Sequence, residues 1–161
     1  MRRNNVMKKV FTGLALLCLA FQAENLCAQK KLTIKLASIV PENTPWGTAL
    51  NRMASEWATI SRGEVELVVY HGGVRGEEGA MLQQLKSNAI QAGVFSSMGL
   101  NLISSDMMTL STPLLIRNNQ ELDAVLTELK PVLEQHIKDQ RFFMLTWAKV
   151  GWVKVFSKTQ V

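Results

Sequence analysis

Apolar residues are concentrated in three short stretches of the chain, and the pattern of each stretch predicts a β-strand. Leu32, Ile34 and Leu36 are separated by polar residues, which is the pattern of a strand with one face on a core. Val65–Tyr70 is nearly all apolar, and this composition favours a central parallel strand that is covered on both faces. Ile90–Phe95 is the third predicted strand.

Two helices are predicted between these strands. Thr44 can cap the first helix, Pro45 suits its first position, and Gly63 can end it in a left-handed conformation. The apolar residues between them recur at helical spacing: Leu50, Met53, Ala54, Trp57 and Ile60. Glu77 and Glu78 begin the second helix, whose buried stripe is Met81, Leu82 and Leu85. Crossovers of this length indicate a right-handed, mainly parallel α/β sheet flanked by helices.

The rest of the chain is less regular. The pattern is irregular from Met98 to Ile116, and a long helical region is predicted from Asn119 to about Gln140. Pro131 is expected to reset that helix, because proline fits a first helical turn and not a helix interior. Phe142–Ala148 and Trp152–Ser157 have the composition of strands.

The first 28 residues have the pattern of a secretory signal peptide. A basic head, Arg2 to Lys9, precedes an apolar run, Val10 to Phe21, that is too short to cross a bilayer. Cleavage is predicted near Ala28–Gln29, and the alternative is an uncleaved amphipathic anchor. We therefore expect a signal peptide at 1–28, a mature domain at 29–161, periplasmic localisation and no membrane span after cleavage.

Removal of this segment changes the charge and the cysteine content. The chain has 18 basic and 13 acidic residues. Four basic residues and one acidic residue lie in 1–28, which leaves 14 and 12, a net charge of +2. No basic patch with interleaved aromatics remains, so nucleic acid is not an expected partner. Cys18 and Cys27 are both removed, and stability must come from one buried core rather than from disulfides.

The motifs of common enzymes and cofactor sites are incomplete. His71-Gly72-Gly73 resembles an oxyanion loop, but no Gly-x-Ser-x-Gly elbow accompanies it. His71 and His136 are far apart and have no metal-ligand spacing. The glycines at 72, 73 and 76 do not form a dinucleotide fingerprint. We predict no catalytic residues, no metal and no cofactor.

The best candidate site is a polar edge of the predicted sheet. Ligands of open parallel sheets bind beyond the carboxyl ends of the strands, and helix N-termini at Pro45 and Gly76 favour an anionic group there. The candidate ligand-binding residues are Ser38, Glu42, Asn43, Thr44, Trp46, His71, Gly73, Arg75, Ser96, Ser97 and Trp147. The alternative is structural: Thr44 caps, Trp46 and Trp147 pack, the serines satisfy turns, and Arg75 is a solvated loop charge.

Several segments, in this order and spacing, resemble the solute-binding proteins of TRAP transporters, the DctP-type family. They are Pro41-Glu42-Asn43-Thr44-Pro45-Trp46-Gly47, Tyr70-His71-Gly72-Gly73-Val74-Arg75-Gly76-Glu77-Glu78, Gln91-Ala92-Gly93, Thr112-Pro113-Leu114-Leu115 and Leu145-Thr146-Trp147 through Gly151-Trp152. The resemblance covers residues 31–158. It implies a periplasmic binding protein-like fold of two α/β lobes that traps an organic acid, such as a dicarboxylate. It also implies delivery to the membrane permease subunits of an ion-gradient-driven transporter.

The resemblance ends where the second lobe would begin. The family's carboxylate-gripping arginines lie downstream of a Lys-x-Arg segment that this sequence lacks, so no residue here inherits that role. We expect the first lobe of a two-lobe fold, with the second lobe missing, and weak or no binding of dicarboxylates or sialic-type acids by this portion alone. The alternative is a sensory or scaffold domain of the same fold that acts through a protein partner. An exported enzyme, using Glu42 and His71, is a distant third interpretation.

Overall fold

A computed structural model describes residues 31–113, 115–151 and 158. The predicted signal peptide and the predicted strand at 152–157 lie outside these residues. The described elements, in chain order, are β1 (Leu32–Ser38), α1 (Pro45–Ile60), β2 (Val65–Tyr70), α2 (Glu78–Lys86), β3 (Ala92–Val94), α3 (Ser97–Asn101), a 3-10 helix (Ser105–Ser111) and α4 (Asn119–Asp139). This is the predicted alternation of strands and helices, with β3 shorter than the sequence suggested.

The three strands form one parallel sheet in the order β2-β1-β3. β1 pairs with β2 from Leu32 opposite Val65 to Ala37 opposite Tyr70, and with β3 from Leu36 opposite Ala92 to Ser38 opposite Val94. The parallel α/β fold is therefore confirmed. The predicted central position of Val65–Tyr70 is wrong: within the described residues, β2 is at an edge and β1 is central. α1 packs on one face of β2 and buries part of its apolar run. An apolar strand therefore does not need a neighbouring strand on each side.

Helices cover both faces of the sheet. Side chains of consecutive strand residues point to opposite faces. Ala37 faces α2, where it packs in a buried cluster with Met81 and Ile90. Leu36 and Leu67 are buried on the opposite face, where α1 packs on β2. The sheet thus forms the middle layer of the described α/β core.

Local signals at the ends of α1 are confirmed. The Thr44 side chain accepts a hydrogen bond from the Gly47 N–H at 3.1 Å, and Pro45 is the first helical residue. After Ile60 the chain turns through two left-handed residues, Arg62 (φ 53°) and Gly63 (φ 84°). The Gly63 N–H donates to the Ala58 carbonyl at 2.8 Å, which closes the helix end. Glu78 begins α2, as predicted, and Glu77 is its N-cap residue.

A second core cluster joins α4 to the preceding segments. Met107 of the 3-10 helix is buried with Leu133 and Ile137 of α4. Pro131 does not reset α4, which runs unbroken through it, so that prediction is wrong. The buried anchors at Leu133 and Ile137 hold the turns after the proline, and their packing outweighs one missing backbone hydrogen bond.

Residues 142–148 do not form the predicted strand. Phe142, Met144 and Trp147 pack against the second cluster, whereas Phe143 and Leu145 are 76% and 75% exposed. The alternation is thus real, but no described segment hydrogen-bonds to this one as a β-ladder. Among the described residues, no helix has both the length and the apolar character that a membrane crossing demands.

Candidate functional site

The carboxyl ends of the three strands lie together at one edge of the sheet. The Gly73 N–H donates to the Ser38 carbonyl at 3.0 Å, and the Gly72 N–H donates to the Val40 carbonyl at 2.9 Å. The loop after β2 is thereby attached to the loop after β1. On the other side of β1, Ser38 is the register partner of Val94, the last residue of β3. We call this region, residues 38–44, 71–76 and 95–97, the strand-end edge.

Ser38 supports the strand-end edge from inside. Its side chain is only 1% exposed, and its Oγ accepts a hydrogen bond from the Val40 N–H at 3.1 Å. Its hydroxyl therefore shapes the turn after β1.

The turn from Pro41 to Thr44 is packed tightly onto the first turn of α1. The Thr44 hydroxyl donates to the Pro41 carbonyl at 2.7 Å while it caps the helix. Gly47 is buried, and a Cβ atom there would lie 2.5 Å from the Pro41 carbonyl oxygen. Asn43 is exposed in this turn, and the neighbouring Trp46 side chain is 42% exposed. The side chains of Asn43 and Trp46 are thus exposed to solvent, and the packing of the turn against Gly47 holds their backbone in place.

Three side chains form a hydrogen-bonded chain across the α1 side of the edge. The Asn51 Nδ2 group donates to Glu42 Oε1 at 3.2 Å, so the Asn51 Oδ1 atom must face His71. His71 Nε2 lies 2.8 Å from Asn51 Oδ1 and donates to it, because an amide oxygen only accepts. In the neutral ring, Nδ1 is then the acceptor; this atom is buried and has no hydrogen-bond partner among the described residues.

Sequence reasoning missed Asn51. It lies seven residues after the Thr44 cap, and residues at this spacing share a helix face. This spacing from Thr44 could have identified Asn51 as a residue on the same side of α1 as the candidate site.

The Arg75 side chain points away from the hydrogen-bonded side chains of Glu42, Asn51 and His71. Its Cζ atom lies 3.9 Å from the centre of the Tyr70 ring, a cation–π contact. Tyr70 is the register partner of Ala37, so it lies on the sheet face that α2 covers. The Arg75 carbonyl accepts from Gln84 Nε2 at 2.6 Å, which ties the loop to α2. Glu42 and His71 lie toward the opposite face.

Glu78 organises the third part of the edge, and sequence reasoning assigned it only to a helix start. Its carboxylate accepts hydrogen bonds from the Ser96 N–H and, at 2.9 Å, from the Ser96 hydroxyl. Ser96 Oγ in turn accepts from the Gly99 N–H at 3.3 Å. A Cβ atom at Gly99 would overlap the Glu78 carboxylate. Ser97, the first residue of α3, is exposed, and its side chain has no hydrogen bond among the described residues.

Trp147 does not belong to the strand-end edge. Its Nε1 donates to Glu134 Oε1 at 2.7 Å, and its ring packs beside the second core cluster. In the described part of the chain, shallow grooves of about 360 and 350 Å³ also lie along α4. In the first groove, His136 Nδ1 lies 2.7 Å from Asp106 Oδ2, an ion-pair distance without well-aligned hydrogen-bond geometry. Nine of the eleven candidate residues therefore lie in the strand-end edge. Trp46 lies next to the edge, in the first turn of α1, and Trp147 is separate from it.

The fold is similar to solved periplasmic solute-binding proteins of TRAP transporters. The Chromohalobacter salexigens protein with bound D-glucuronate has a TM-score of 0.64 and 24% identity, with 71% of this chain and 38% of that chain covered. The Sulfurospirillum deleyianum protein with bound succinate has a TM-score of 0.61 and 23% identity, over 68% and 36% of the two chains. The Ochrobactrum anthropi protein has a TM-score of 0.62 and 21% identity, over 70% and 35%.

The chain thus covers little more than a third of the length of these proteins. Its described fold matches the first lobe of their periplasmic binding protein-like architecture. No curated protein is significantly similar to the chain. Residues 36–161, most of the sequence, match the family model DctP, bacterial extracellular solute-binding protein family 7. The chain therefore belongs to the DctP family of bacterial extracellular solute-binding proteins, as the resemblance in its sequence predicted.

Proposed function

We propose that this chain provides one wall of an extracytoplasmic receptor that binds an organic acid and delivers it to the permease subunits of a TRAP-type transporter. The strand-end edge is the ligand-facing part of that wall. The chain acts by binding and release, and it catalyses no reaction on the ligand.

One observation carries the proposal: three parallel strands of a DctP-family chain end at the same edge. Backbone hydrogen bonds from Gly72 and Gly73 join the ends of β1 and β2, and the pairing of Ser38 with Val94 places the end of β3 beside them. Open parallel sheets bind their ligands at such an edge. The solved structures of similar fold add chemical support, since two of them contain succinate and D-glucuronate. Both of these ligands carry a carboxylate.

The candidate residues have two roles in this proposal. Ser38 and Thr44 shape the edge through their hydrogen bonds to Val40, Pro41 and Gly47. The side chains available for ligand contact are Glu42, Asn43, Trp46, His71, Arg75 and Ser97, with the backbone of Gly73 and Ser96. Trp147 stays a candidate only for a ligand that also reaches the side of α4 that carries Glu134.

Export of the chain depends on the predicted signal peptide. We propose that residues 1–28 direct the chain across the inner membrane and that cleavage leaves Gln29 as the first residue in the periplasm. Expression of the whole chain in a Gram-negative host, followed by fractionation and mass spectrometry, tests this step. Recovery of an intact amino terminus from the cytoplasm would contradict it.

Saturation-transfer NMR tests the binding function directly. The exported chain is mixed with succinate, D-glucuronate or the diamine putrescine at millimolar concentration. The sequence alone predicted weak or no binding by this portion. Because backbone hydrogen bonds already hold the strand-end edge in place, we expect weak binding: saturable signals with millimolar dissociation constants for at least one acid and no saturable signal for the diamine. Absence of saturable binding by both acids, or equally tight binding of the diamine, would contradict the proposal.

A further inference from the structure

Four backbone N–H groups at or next to the strand-end edge that could hold a carboxylate already have acceptors within the chain. The N–H groups of Gly72 and Gly73 donate to backbone carbonyls. The Gly47 N–H donates to Thr44, and the Ser96 N–H donates to Glu78. A ligand carboxylate therefore has to displace an existing acceptor at each of these positions, which removes most of the gain from binding there.

Arg75 and the first turn of α2 are also poor carboxylate sites. Arg75 is stacked on Tyr70, on the sheet face that α2 covers. The first turn of α2 has no side-chain cap, but Glu77 and Glu78 place two carboxylates beside it. Like charges at such short range disfavour a further anion.

An acceptor, in contrast, is available at this edge. Glu42 is exposed, its Oε1 atom accepts from Asn51, and its Oε2 atom has no partner among the described residues. The hydrogen bond between His71 and Asn51, at 2.8 Å, fixes the amide that holds Glu42. The packing of the Glu42 backbone on Gly47 fixes the turn that carries it. The Oε2 atom is thus a pre-positioned, charged acceptor.

A charged acceptor of this kind favours ligand hydroxyl groups and disfavours ligand carboxylates. Hydroxyl donors form strong, charge-assisted hydrogen bonds to a carboxylate. A second carboxylate at the same distance is repelled. Asn43 and Ser97, both exposed and without side-chain hydrogen bonds among the described residues, can complete the contacts to a hydroxylated ligand.

We propose that the strand-end edge binds the hydroxyl-bearing end of a polyhydroxylated acid, such as a sugar acid, with Glu42 as the residue that determines this preference. This inference rests on the proposed function and specifies its substrate class. The carboxylate of the ligand points away from the described wall. Unsubstituted dicarboxylates are disfavoured.

Dissociation constants from amide chemical shifts of the ¹⁵N-labelled whole chain test this proposal, with D-glucuronate and succinate as probes. At the Asn43 amide we expect glucuronate to bind about tenfold more tightly than succinate. Glu42→Gln should weaken glucuronate binding about fivefold and leave succinate binding equal or tighter, because a neutral acceptor makes a weaker bond and repels no anion. Glu56→Gln is the matched control; it removes the same charge from α1, where Glu56 pairs with Arg52, and should change neither constant.

The other outcomes distinguish a failure of this inference from a failure of the proposed function. If succinate binds at the edge as tightly as glucuronate, or if Glu42→Gln strengthens the binding of both acids, this inference is overturned and the proposed function stands. If neither acid shifts amides at the edge, both are overturned. Well-dispersed spectra of both variants separate these results from a failure to fold.

Discussion

The Pro41 carbonyl oxygen and Gly47 are so close that a Cβ atom at Gly47 would lie 2.5 Å from that oxygen. This contact presses the turn after β1 onto the first turn of α1. The position of Glu42 and Asn43 at the strand-end edge depends on it. A glycine at 47 is therefore a packing requirement of the site.

Gly47→Ala should destabilise the chain by about 2–3 kcal/mol, because the added methyl group cannot fit without moving the turn. Gly79→Ala is the matched control in α2, where the nearest atom to an added Cβ is Leu102 Cδ1 at 3.9 Å. That substitution should stabilise the chain by about 0.5–1 kcal/mol through helix propensity. Urea unfolding measures both, and equal effects of the two substitutions would refute the packing argument.

Glu78→Gln should loosen the start of α3. A carboxylate accepts more strongly than an amide, so we expect a loss of about 1 kcal/mol and faster hydrogen exchange at the Ser96 and Gly99 amides. Glu77→Gln removes the same charge from the same helix end, where no side-chain capping bond exists. It should leave exchange at Ser96 unchanged, and equal acceleration by both variants would assign the effect to the charge alone.

Pro131→Ala should stabilise α4. Pro131 lies inside the helix, where it cannot donate to the Thr127 carbonyl, and alanine restores that bond. After allowance for the greater freedom of the unfolded chain, we expect a gain of about 1–2 kcal/mol. Pro45→Ala, at the first position of α1, should stay within about 0.5 kcal/mol of wild type. A destabilising effect of Pro131→Ala would show that the proline serves a purpose beyond helix geometry.

The chain should lose stability in acid partly through Glu121. The backbone N–H of Arg117, then the Arg117 charge and the Asn118 side chain, lower the pKa of Glu121, although desolvation opposes them. Because the folded pKa is below the unfolded pKa, the stabilisation is present above the unfolded pKa and is lost as the pH falls through the folded pKa.

Thermal unfolding between about pH 6 and pH 3 checks this prediction. Glu121→Gln should flatten the loss of stability in acid relative to wild type. Glu128→Gln, on the exposed side of the same helix, is the control and should follow the wild-type profile. Identical profiles for the two variants would contradict the role of Glu121.

The parts of the fold that local sequence determines were predictable. Thr44 and Pro45 specify a helix start through a single capping bond, and Gly63 specifies its end through its backbone conformation. The existence of the strands followed from their apolar patterns, and their parallel pairing followed from the lengths of the crossovers. Strand order did not follow, because β1 becomes central only through pairing with β3, far along the chain.

The site was predictable as a location and less so as a set of contacts. The strand ends gave the edge, since parallel strands place their carboxyl ends together. The bonds from His71 to Asn51 and from Ser96 to Glu78 join residues 20 and 18 positions apart, on different elements. No local periodicity encodes such pairs. Only its aromatic character favours placing Trp147 at the edge, whereas its hydrogen bond to Glu134 joins it to α4.

The location of the binding wall is tested by a map of amide chemical-shift changes over the whole ¹⁵N-labelled chain with saturating D-glucuronate or succinate. If the ligand binds at the strand-end edge, the shifts should cluster at Val40 to Thr44, His71 to Gly76 and Phe95 to Ser97. Amides at the opposite ends of the strands, at Leu32 and Val65, should not move. Shifts centred on those opposite ends, or on α4 alone, would contradict the claim that the strand-end edge is the ligand-binding wall.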